Sequence, residues 1–111
     1  MVKYLVHYGA NINKENRQGE TPLFNACRSG NEYLVKYLLK LGIDINKRND
    51  EGQTPLCNAC KSGNLQMVKY LVEYGAEINV ETNQGDTLLY YACESRNEYI
   101  IKYLIERGAD V

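Results

Sequence analysis

Apolar side chains in this chain gather on one face of short helical stretches, with polar turns between the stretches. Leu34, Val35, Leu38 and Leu39 recur at intervals of three and four residues, the spacing that lines one side of an α-helix. They predict a helix from Glu32 to Leu41, and the pattern returns over Leu65–Tyr74 and Glu98–Arg107. Before each comes a shorter run with inward Leu23, Ala26 and Cys27, repeated as Leu56, Ala59, Cys60 and as Leu89, Ala92, Cys93. Thr21-Pro22 and Thr54-Pro55 open two of these runs with a hydroxyl N-cap and a proline at the first helical position, where its missing N–H costs nothing. Gly30 and Gly63 close them. Small residues at the alanine and cysteine slots let a neighbouring helix approach closely. Polar stretches such as Asn13–Gln18, each ended by Gly19, Gly52 or Gly85, read as turns or hairpin tips.

The pattern is periodic. Gly52–Asn64 has near-copies at Gly19–Asn31 and Gly85–Asn97, and the three glycines stand 33 residues apart. Self-similarity at that period signals a solenoid of stacked supersecondary units. Residues 1–15 read as the second half of a unit, since Gly9 repeats at Gly42, Gly75 and Gly108, each just past an apolar run. Units 16–48, 49–81 and 82–111 follow, in a single domain of 111 residues. Two helices and a turn cannot bury their apolar faces alone, so each unit is stabilised by its neighbours. Both ends read as cut from a longer array or from a consensus-like engineered scaffold: Val2, Leu5 and Val6 call for an upstream helix, and Ile100, Ile101 and Leu104 show no polar capping face. The protein is therefore expected as a monomer or in end-to-end association through these uncapped ends.

Gly-x-Thr-Pro-Leu-x-x-Ala-x-x-x-Gly-Asn, followed by Val-Lys-Tyr-Leu and Gly-Ala-x-Ile-Asn at a period of 33, resembles the ankyrin repeat across the whole chain. The resemblance implies an all-α ankyrin-repeat solenoid of stacked helix-turn-helix units with projecting β-hairpin loops. Three departures stand out. The family's histidine after Thr-Pro-Leu, which bonds the threonine hydroxyl, is replaced by Phe24, Cys57 and Tyr90, so that bond is expected to give way to packing. In the third repeat Leu88 replaces the proline and Arg96 the helix-ending glycine. The third repeat is expected to be the softest.

The resemblance also implies a non-catalytic module or scaffold that binds a protein or peptide on its concave face. By position, the hairpin tips contribute Arg17, Gln18 and Glu20, then Arg48, Asp50, Glu51 and Gln53, then Asn83, Gln84 and Asp86. The short helices add Arg28, Lys61, Tyr91 and Glu94. The face drifts from mixed-basic in the first repeat to acidic in the third. Two other readings stand beside this one: the docking segment of a larger enzyme, channel or effector, and a scaffold without a natural partner. Asn46 and Asn79, in Leu38…Asp44-Ile45-Asn46 and Leu71…Glu77-Ile78-Asn79, resemble the pattern that a cytosolic asparaginyl hydroxylase favours in this family. The plainer role for both is bonding to the hairpin backbone.

Composition narrows the chemistry. With 44% apolar and 24% charged residues and a net charge of −1, the chain is globular and carries no footprint for nucleic acid or an anionic membrane. No apolar run reaches the length of a membrane span, and the start is too short and too quickly polar for a signal peptide. Of the four cysteines, Cys27, Cys60 and Cys93 fill one slot of successive units, about 10 Å apart, too far for a bridge that needs Cα atoms within about 7 Å. They read as small buried hydrophobes in a protein of a reducing, cytoplasmic compartment. Cys57-Asn-Ala-Cys60 has no second Cys or His pair to complete a zinc site, His7 has no nucleophile expected nearby, and Asp50-Glu51 sits on an open tip. No catalytic, cofactor or metal site is expected. A tyrosine column, Tyr4, Tyr37, Tyr70 and Tyr103, reads as a ladder of packed rings with solvated hydroxyls.

Overall fold

A computed structural model describes residues 12–109. Residues 1–11 of the N-terminal half-unit, with His7 and Tyr4, lie outside that range. Six helices follow in three antiparallel pairs: α1 (Pro22–Ser29) with α2 (Glu32–Lys40), α3 (Pro55–Ser62) with α4 (Leu65–Glu73), and α5 (Leu88–Glu94) with α6 (Glu98–Glu106). The short helices form one layer, α1 against α3 and α3 against α5; the longer ones form a second, with α4 against α6. The stack measures 44 × 26 × 20 Å, an elongated shape that follows from contacts between neighbours.

Leu23, Ala26 and Cys27 face Val35 and Leu38 in the first unit's core, and Leu56, Ala59, Cys60, Met67, Val68 and Leu71 fill the second; all are essentially inaccessible to solvent. Truncating one such leucine to alanine costs about 2–5 kcal/mol. The third unit differs. Leu89 is only half-buried and Cys93 is exposed, although their equivalents in the first two units are fully covered. The expectation of three buried thiols therefore fails at Cys93: that slot is covered by the following unit, and within residues 12–109 none lies beyond α6.

Helix ends are set by side chains and by backbone. Each longer helix stops one residue before the expected end, with Leu41, Tyr74 and Arg107 as C-caps. Their starts carry a feature the periodicity did not single out. Asn31, Asn64 and Asn97 each accept a hydrogen bond from the third residue beyond, at 3.0, 3.1 and 3.2 Å, satisfying a helix N–H that would otherwise lack a partner. The threonines behave less uniformly than expected. Thr87 caps α5 through its hydroxyl, which accepts from Tyr90 N–H at 3.3 Å. Thr21 makes no side-chain cap bond, and its hydroxyl is buried without a partner beside the apolar Phe24. At Thr54 the bond expected to be lost is remade with sulfur: Cys57 Sγ accepts from Thr54 N–H at 3.4 Å and lies 3.5 Å from its hydroxyl.

The loops between units are tight turns, and among the described residues the only β-pairing is one isolated antiparallel bridge, Glu81 with Thr87. Asn16, Asn49 and Thr82 fill one slot of the period, and the side-chain oxygen of each accepts from the N–H groups two and four residues on. That is the geometry for which Asn and Thr are favoured in turns. Successive tips are then stitched together, Asp50 N–H to Gln18 C=O at 2.8 Å and Asn83 N–H to Glu51 C=O at 2.9 Å. The approach is so close that a Cβ on Gly52 would sit 2.9 Å from the Asn83 nitrogen.

Candidate interaction face

Stacked tips and the outward sides of α1, α3 and α5 make one polar face, and side-chain bonds run along it from unit to unit. The Arg28 guanidinium donates to both Glu20 carboxylate oxygens at 3.0 Å. The Asn49 amide donates to Glu20 Oε2 at 2.9 Å and to Gln53 Oε1 at 3.0 Å. Gln53 Nε2 then donates to the Tyr91 hydroxyl at 3.1 Å. Arg28, Glu20, Asn49, Gln53 and Tyr91 thus form a chain of contacts across all three described units. Burial by itself raises the Glu20 pKa, but the hydrogen bonds from Asn49 and Arg28, with the Arg28 charge and the Asn16 bond, outweigh it and leave the carboxyl below its ordinary range.

The residues named from the sequence fall into three groups. Arg17, Gln18, Asp50, Glu51, Lys61, Gln84 and Glu94 are exposed, and Asp86 is half-buried beside them. Arg48 and Asn83 are exposed but engaged: the Arg48 guanidinium donates to Glu81 C=O, and the Asn83 amide donates to Asp50 C=O at 2.9 Å. Arg28, Glu20, Gln53 and Tyr91 belong to the inter-unit chain. Tyr91 is the clearest correction, since at 4% exposure it is a framework residue rather than an outward anchor. Burial leads in raising its pKa, and the Lys61 ammonium lies 5.5 Å over its ring. Asn49, which joins the first unit to the second, was not among the predicted site residues. Its signal in the sequence is recurrence at the Asn16 slot.

Asn46 and Asn79 also bridge units. The Asn46 side-chain oxygen accepts from Glu77 N–H at 2.9 Å, and the Asn79 amide donates to Gly108 C=O at 3.3 Å. On the opposite side of the molecule the tyrosine column is partnered by lysines of the preceding unit. Lys36 lies 5.2 Å over the Tyr70 ring and Lys69 5.8 Å over Tyr103. The solvated hydroxyl expected for every rung does not hold at Tyr103, whose oxygen is buried without a hydrogen bond.

Two of the four thiols are held in the protonated, unreactive form. Burial pushes Cys27 up to about 12, and burial followed by the neighbouring Cys57 pushes Cys60 up further, so both stay protonated at neutral pH. Among the described residues no group of three His, Cys, Asp or Glu could hold a metal ion, and no helix is long and apolar enough to cross a membrane.

Helix pairs stacked at a fixed period behind a continuous row of turns define a helical repeat solenoid with an open polar face. The family model for ankyrin repeats matches the chain in three copies, over residues 1–49 and 42–111, and the chain belongs to the ankyrin-repeat family. Ankyrin repeats are in general protein–protein interaction modules, and the family is typically non-catalytic. No curated protein matches the chain.

Proposed function

We propose that the protein is a non-catalytic docking module that binds a protein or peptide partner along the face formed by the tips and the short helices. The observation that carries this is the bonded chain from Arg28 to Tyr91. It fixes the side chains beneath the exposed Arg17, Asp50, Glu51 and Lys61, so a partner meets a surface ordered in advance and little entropy is lost on contact. Mixed charge on that surface suits selection by electrostatic complementarity. We also place the protein in a reducing compartment, the cytoplasm, in keeping with Cys27, Cys57 and Cys60 as free, buried thiols. Asn46 and Asn79 act in this scheme as interlocks between units rather than as modification sites.

The test is partner capture by the wild-type chain and by two variants that retain helical circular dichroism. Changing Arg17, Asp50, Lys61 and Gln84 together to alanine is expected to abolish capture. Changing the exposed Tyr33 and Tyr99 on the other side to serine is expected to leave it intact. The reverse pattern overturns the assignment of the face.

A further inference from the structure

The apolar slots on the side of each unit that meets the next are closed in the first two units and open in the third. Leu23 and Leu56 are fully buried, whereas Leu89 in the same slot is half-buried. Val35 and Val68 give way to a half-buried Ile101, and Ile43 and Ala76 to a half-buried Ala109. Cys27 and Cys60 are covered, and Cys93 is exposed. Ile105, at the slot of the buried Leu39, is 44% exposed. At each earlier junction the cover is another helix pair: α3 lies on α1, α5 on α3 and α6 on α4.

The size and chemistry of this end decide what covers it. The stack is 44 Å long and 26 × 20 Å across, so its end offers about 500 Å². Two such ends placed together remove about 1,000 Å² from water, the lower limit for a specific protein–protein interface. None of the five side chains carries a charge, and the contacts between identical subunits are the more apolar class. A twofold pairing sets the same five side chains against themselves. It stops at two copies, because it uses up the surface on each. It also continues what the earlier junctions do, packing one helix pair of leucine, small and β-branched slots on another.

We propose that a second copy of this chain closes on the α5–α6 end, the two ends related by a twofold axis. The docking face of tips and short helices stays open on both copies. The dimer therefore presents that face twice, and a partner carrying two matching segments gains avidity without any new contact. The pairing stands independently of what the docking face binds.

The experiment is sedimentation equilibrium of the whole chain in reducing buffer, from about 1 µM to about 1 mM. A monomer–dimer equilibrium is expected, with a dissociation constant on the order of 10–100 µM for so small an interface. Ile105→Glu puts a carboxylate on each side of the apolar contact and is expected to weaken the dimer at least about tenfold. Its helical circular dichroism and melting temperature at low concentration should hold, because Ile105 is exposed in the single copy. Leu41→Glu makes the same change at an exposed leucine of the first unit and is expected to leave the dimer intact. Cys93 supplies a second readout as the one exposed thiol among the described residues. Its alkylation by iodoacetamide should slow as the wild-type concentration rises through the dissociation constant, and should not slow in Ile105→Glu. A mass of one copy throughout, assembly that continues beyond two copies, equal dimers in wild type and Ile105→Glu, or Cys93 reactivity independent of concentration would each overturn the assignment.

Discussion

The side-chain amide of Asn49 reaches Glu20 Oε2 at 2.9 Å across the junction of the first two units, while its oxygen accepts from the N–H groups of Glu51 and Gln53. One side chain, 8% exposed, therefore shapes its own turn and ties it to the turn before. Asn49→Ala loses both functions and is expected to lower stability by about 2–3 kcal/mol. Asn49→Thr keeps an oxygen for the turn, as Thr82 does, and loses only the bridge, for about 1 kcal/mol. Urea denaturation separates the two. Equal losses for Ala and Thr would show that the turn carries nothing of its own.

The same contact predicts how stability depends on pH. Glu20 titrates below its unfolded value, so the unfolded chain binds more protons at this site as pH falls. Its stabilising contribution is complete above the unfolded carboxyl range, near 4.3, and disappears as pH drops through the lower folded value. Glu20→Gln keeps a hydrogen-bond acceptor for Asn49 and discards the charge. Its deficit against wild type should therefore be largest at neutral pH and shrink toward pH 3, read from urea midpoints across that interval. A deficit that stays constant with pH would assign the effect to packing alone.

The stacking of the fold was legible because the period names equivalent slots, and packing treats equivalent slots alike. Leucine, alanine and cysteine at the inward positions of α1 and α3 are buried as the pattern requires. What the pattern does not carry is which neighbour covers a slot. Cys93 and Tyr90 are exposed although Cys60 and Cys57 are buried, because their surroundings change while their position in the repeat does not. The candidate face was legible as a row of polar slots, but not as a bonded network. Gln53 to Tyr91 and Glu20 to Asn49 are partners 38 and 29 residues apart, offset from the period, so aligning the repeats does not bring them together. Tyr91 was accordingly placed outward when its hydroxyl in fact receives Gln53.

Arg96 is the one non-glycine residue with positive φ among those described, at 57°, in the slot where Gly30 and Gly63 take 74° and 72°. An L side chain in the left-handed region costs on the order of 1 kcal/mol, and nothing in its contacts offsets this. Arg96→Gly is expected to stabilise the protein by about that amount, and Gly63→Arg to destabilise it by at least as much. Hydrogen exchange should also find amides of 85–97 less protected than those of 52–64. Equal protection of the two stretches would remove the case for a softer third unit.

Tyr103 tests what the tyrosine column is made of. Its ring is 8% exposed and lies under Lys69 at 5.8 Å and Arg107 at 5.1 Å, so the apolar body and the cations above it hold the outer layer together. Its hydroxyl, buried without a hydrogen bond, is a desolvated polar group with no return. Tyr103→Phe keeps the ring and removes that group, and is expected to raise stability by about 1 kcal/mol. Tyr103→Leu removes the aromatic face as well and should lower it by about 1–2 kcal/mol, through lost packing and lost cation contact. Thermal melts of the two variants decide between rungs held by rings and rungs held by hydroxyls: a loss at Phe as large as that at Leu would mean the hydroxyl is the part that binds.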